Sequence, residues 1–68
     1  MIQNDEELRV TQERVAYFER LLAELRVTAQ PHEFPAVASG YRAEIERMQQ
    51  EALDYLTRHV SESVVASS

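Results

Sequence analysis

Between Glu7 and Ala29, Leu8, Thr11, Val15, Phe18, Leu22, Leu25 and Ala29 recur at alternating steps of three and four. With ~3.6 residues per turn, that spacing brings all seven to one side of a single helix. Leu21 widens the stripe, and Glu13, Arg14, Glu19, Arg20, Glu24 and Arg26 fill the remaining surface. A helix of this kind is held by packing, since its own charge pairs contribute only a few tenths of a kcal/mol each. The rest of the chain therefore has to supply an apolar surface for it to lie on.

The first helix has a clear start. Asn4 is placed to cap it, Glu7 three residues on makes a variant of the capping box, and Asp5, Glu6 and Glu7 suit the positive end of the helix dipole. Ile2 is positioned to cover the first turn against Leu8. Arg9 and Glu13 stand four apart as an ion pair. The stop is equally clear. Pro31 lacks an N–H and disfavours helical backbone at Gln30, and Pro35 is tolerated only in an opening turn. The chain thus predicts helices near residues 5–29 and 35–59.

The second stripe runs through Phe34, Val37, Ala38, Tyr41, Ile45, Met48, Ala52, Tyr55 and Leu56, with Leu53 broadening it. Gly40 interrupts the pattern. It reads as a glycine tolerated inside the helix at roughly 1 kcal/mol relative to Ala, with a close helix crossing near Ala38 and Ser39, or a small kink, as its reason. The alternative is a break at Gly40 with Ser39 as the next cap. Arg42 with Glu46, Arg47 with Glu51 and Asp54 with Arg58 are spaced as exposed pairs, and Arg58 and His59 favour the helix C-terminus. Residues 1–60 are read as the hairpin and 61–68 as a flexible serine-rich tail, in which Val64 and Val65 offer a docking segment.

Two helices of roughly 25 residues, each about 37 Å long, joined by a short connection make an antiparallel αα-hairpin. Leu8, Val15, Phe18, Leu22 and Leu25 would face Ile45, Met48, Ala52 and Leu56 in reverse order. Two helices cannot cover both sides of stripes this wide. Tyr17, Leu21, Tyr41, Leu53 and Tyr55 are the candidate interface residues, the tyrosines at core edges with their hydroxyls toward water. A homodimer forming a four-helix bundle is the simplest way to bury them, with a different protein partner as the alternative.

Length and charge narrow the function. With 68 residues and no cysteine, the chain has neither a deep core nor a disulfide framework, and domains this small often depend on partners. Twelve acidic residues against seven arginines give a formal charge of −5, which argues against a phosphate-binding surface and direct nucleic-acid binding. No apolar run approaches the ~20 residues of a membrane span, and the acidic cluster at 5–7 interrupts any secretory leader. A cytoplasmic location is the default expectation.

No catalytic, cofactor or metal site is expected. His32 beside Glu33 and His59 after Arg58 form no oriented set. Glu44 and Glu51 stand seven apart as in some diiron bundles, but the Glu-x-x-His elements are missing. Ser39 has no nucleophile elbow around it.

The stretch IQNDEELRVTQERVAYFERLLAEL, with Ile2, Asn4, Glu6 or Glu7, Thr11, Phe18 and Leu22, resembles the helical module ahead of the helix-turn-helix domain in some bacterial antitoxins. PAVASGYRAEIERMQQEALDYL looks like its returning helix. That resemblance implies an all-α hairpin engaged in assembly or partner binding within a toxin–antitoxin pair; a structural homo-oligomer is the rival reading, and a small DNA-binding regulator ranks below both because of the acidic balance. No basic recognition helix follows in these residues, so DNA binding does not carry over.

Overall fold

The structure, a computed structural model, describes residues 1–58. Helix α1 spans Asp5–Thr28 and helix α2 spans Phe34–Leu56, and the two pack antiparallel. The fold is an all-α two-helix hairpin, and α2 runs unbroken through Gly40.

The start of α1 is built by two reciprocal hydrogen bonds. The Glu7 N–H donates to Asn4 Oδ1 at 2.8 Å, and the Gln3 N–H donates to Glu7 Oε1 at 2.6 Å. In a standard capping box the acidic side chain returns to the cap residue itself. Here it reaches one residue further back and fixes the lead-in. At the other end the Ala29 N–H still bonds the Leu25 carbonyl before the chain turns extended.

Pro31 sits in a turn whose closing bonds run from Glu33 and Phe34 N–H to the Gln30 carbonyl, both 3.0 Å. Pro35 falls in the first turn of α2, where its missing donor costs nothing. The Glu33 cap makes no side-chain bond. Helix α2 ends three residues short of the expected His59. The Thr57 hydroxyl donates to the Leu53 carbonyl at 2.7 Å, and the Thr57 N–H bonds the same oxygen at 2.9 Å. Arg58 therefore lies past the helix instead of in its last turn. His59 and the tail 61–68 lie outside the described residues.

The core is thin. Only Ile2, Ile45 and Met48 are buried among the described residues, while the α1 stripe is half-buried throughout. The register follows from two contacts. The Tyr55 hydroxyl reaches Asp5 at 2.6 Å, and the Phe18 and Tyr41 rings meet edge-on at 5.6 Å between centroids. Residues of α1 and α2 at one level thus have numbers totalling 59 or 60.

Leu56 is corrected from its expected place in the core. It lines a shallow hollow at the open end beside Thr11 and Leu53, to one side of the helix–helix seam, and is 56% exposed. Ile2 corrects the lead-in similarly. It is 6% exposed and lies beside Met48, Glu51 and Tyr55 of α2, wedged between the helices at their open end.

The expected crossing at Gly40 is also absent. A methyl group there would meet nothing within 4 Å, so the glycine is not making room for α1. Of the expected ion pairs, Arg42–Glu46 at 3.5 Å and Arg47–Glu51 at 3.4 Å form. Arg9 turns back to Glu6 at 3.7 Å instead of reaching Glu13. Asp54 accepts a bond from Gln50 at 2.9 Å, which takes the place of the expected pair with Arg58.

Candidate interaction surface

A two-helix hairpin has two broad sides, and here they differ in chemistry. On one side, called the belt side below, charge is spread across both helices. Arg47 bonds Glu44 at 2.9 and 3.2 Å and Glu51 at 3.4 Å. The Arg47 hydrogen bond, and then its charge, hold the Glu44 carboxyl below its ordinary range, with a smaller contribution from Arg14 of α1. The same contacts push the Arg47 guanidinium up. Glu44 and Glu51, the pair with diiron spacing, are thus both engaged by one arginine. Among the described residues, no three His, Asp or Glu side chains converge to hold a metal.

The lead-in covers the open half of the belt side. Ile2 is packed there, and the Met1 ammonium stands 3.5 Å from Glu51. Tyr55 is part of the same closure. Its phenol donates to Asp5, a bond sequence reasoning missed when it directed the hydroxyl to water. The Asp5 bond raises the Tyr55 pKa above its ordinary value of 10.0, helped by partial burial and by the charges of Asp5 and Glu7.

The other side, the groove side, has no such cover. A shallow groove runs along it in two joined hollows. The hollow of the open half, about 510 Å³, is lined by Val15, Ala16, Ala52, Leu53 and Leu56 among others. The hollow of the loop half, about 660 Å³, is lined chiefly by Leu22, Phe34, Pro35, Ala38 and Ile45. Glu19 and Gln49 border both. Arg26, Arg42 and Glu46 edge the loop half.

The five candidate interface residues therefore do not share one surface. Leu53, 55% exposed, lies on the groove side. Tyr17, 51% exposed, follows Val10 by seven positions and precedes Leu21 by four, which puts all three in one row on the belt side. Leu21 is half-buried. Tyr41 is half-buried against Phe18, and Phe18 also meets Tyr17 at 6.0 Å between ring centroids. Tyr55 is half-buried at the open end. Leu56 and Ala16 belong to the groove but were not among the five. Their signal lay in helical spacing, Ala16 standing beside Val15 at the edge of the α1 stripe and Leu56 three residues past Leu53.

No helix among the described residues is long and apolar enough to cross a membrane. No protein family, curated protein or solved structure matches the chain. The likeness to antitoxin modules accordingly rests on the sequence alone.

Proposed function

We propose that the hairpin is a non-enzymatic interaction module that self-associates, two copies closing into a four-helix bundle. One observation carries this reading: among the described residues three are buried, while Leu53 and Leu56 are more than half exposed in an uncovered groove. Burying apolar area releases about 25 cal/mol per Å², and a hairpin this thin leaves much of that gain unused. A second copy recovers it with no further component.

Sedimentation equilibrium over a wide concentration range, with circular dichroism on the same samples, tests the proposal. Mass and helicity rising together with concentration are the expected result, because folding and assembly are then linked. A fully helical monomer at every concentration would overturn it. The antitoxin-like sequence adds a second reading, in which a toxin-like protein takes the place of the second copy. Native copurification with a stoichiometric partner, in place of dimer, is the outcome that would favour it.

A further inference from the structure

We propose that the groove side seats a second copy of the chain with its loop at the opposite end, so that Arg42 meets the partner's Glu46 and Leu53 and Leu56 enter the partner's loop-half hollow. This arrangement rests on the self-association proposed above and specifies its face and polarity.

The face follows from what is already covered. Ile2, the Met1 ammonium and the Arg14–Glu44–Arg47–Glu51 belt occupy the opposite side, and docking there would strip water from several paired charges. The groove side is free along both hollows. Its size also suits a dimer. A face about 36 Å long and about 20 Å wide presents about 700 Å², near the ~800 Å² each partner buries in a stable interface.

The polarity follows from the register. A two-fold axis crossing the bundle at mid-height passes at the level of Ala16 and Glu44, whose numbers total 60 like those of the contacting pair Asp5 and Tyr55. With the loops at opposite ends, α1 faces its own copy and α2 faces its own copy. Arg42 and Glu46, two residues either side of Glu44, then meet reciprocally, joining the 3.5 Å pair that each helix already holds into one four-charge cluster across the interface. Gln12 comes within one residue of the level of the partner's Glu19, and a small residue, Ala16, sits where the two α1 helices cross.

Shape agrees with charge. Leu53 and Leu56 stand at the open end, and the larger hollow, about 660 Å³ beside Ala38, stands at the loop end. Only the loops-opposite arrangement puts the leucines of one copy over the larger hollow of the other. With the loops together, Leu53 would stand at the level of Glu6 and Glu7 of the partner subunit.

The absence of cysteine makes the test clean. Single-cysteine variants Ala16→Cys and Tyr17→Cys are oxidised under native conditions, after sedimentation has established the state of the unmodified chain. Disulfide-linked dimer from Ala16→Cys, with none from Tyr17→Cys, is the expected result. Dimeric protein in which Ala16→Cys fails to cross-link overturns the face or polarity while leaving self-association standing. Monomer throughout overturns both. The charge pair gives a second readout that does not depend on cross-linking. Because Arg42 and Glu46 also pair within one helix, the single variants are tested alone and mixed: Arg42→Glu and Glu46→Arg each weaken their own dimer about tenfold or more, and the two together form a heterodimer within about threefold of the unmodified affinity. A mixture that forms no heterodimer would also overturn the arrangement.

Discussion

Tyr55 and Gly40 show how much a single residue can decide in a core this thin. The bond to Asp5 raises the folded-state pKa of Tyr55 above its value in the unfolded chain. A raised pKa contributes stability that is complete below the unfolded value, near 10, and is lost as pH climbs through the folded one. Alkaline unfolding should therefore set in at higher pH for Tyr55→Phe than expected from its lower stability at neutral pH, because the bond is already gone. Thermal melts of both proteins between pH 8 and 11 measure the difference. Glu44 works in the opposite sense. Its pKa is lowered, so its pairing with Arg47 is present above the ordinary carboxylate range and is lost on acidification. Gly40 predicts a gain. Its position is helical and open, so Gly40→Ala should stabilise the hairpin by about 1 kcal/mol, read from denaturant melts at fixed protein concentration.

At the scale of the helices, periodicity and punctuation were readable from the chain. The alternating spacing gave both stripes, Asn4 and Glu7 gave the start of α1, and Pro31 with Pro35 bounded the turn. What could not be read was register. Leu56 satisfies the stripe yet lies in the open groove beside the seam, and Ile2 lies outside any stripe yet is among the most buried residues. Periodicity reports direction around a helix axis, whereas burial also requires a neighbour at the same height. The same gap spread the five candidate interface residues over two sides. Substitutions measure this distinction directly. Met48→Ala and Ile2→Ala should each cost about 2–3 kcal/mol, toward the low end for fully packed sites because the core is thin. Gln50→Ala, on the solvated surface, should stay within about 0.5 kcal/mol.

For the molecule as a whole, exposed leucines and a long uncovered groove set the expected behaviour. Leu53→Asp places a charge where a second copy would have to exclude water, so it should shift sedimentation toward monomer. Tyr17→Asp should leave the assembly state unchanged, since it lies on the charged side. Circular dichroism of both variants at high concentration separates lost assembly from lost folding. Equal dissociation by the two would point to a partner surface on the other side of the hairpin.

The three buried residues also set the order in which the hairpin comes apart. Ile2, Ile45 and Met48 all lie at or below mid-height, toward the open end, where the lead-in and the Tyr55–Asp5 bond clasp the two helices. Beyond mid-height the helices are joined by half-buried contacts alone. Hairpins ordinarily fray at their termini, where the chain is least tied. This one is fastened at its open end and loose at its bend. Amide hydrogens should exchange slowest around Met48 and fastest on either side of the Pro31 turn, so that local opening spreads from the loop toward the chain ends.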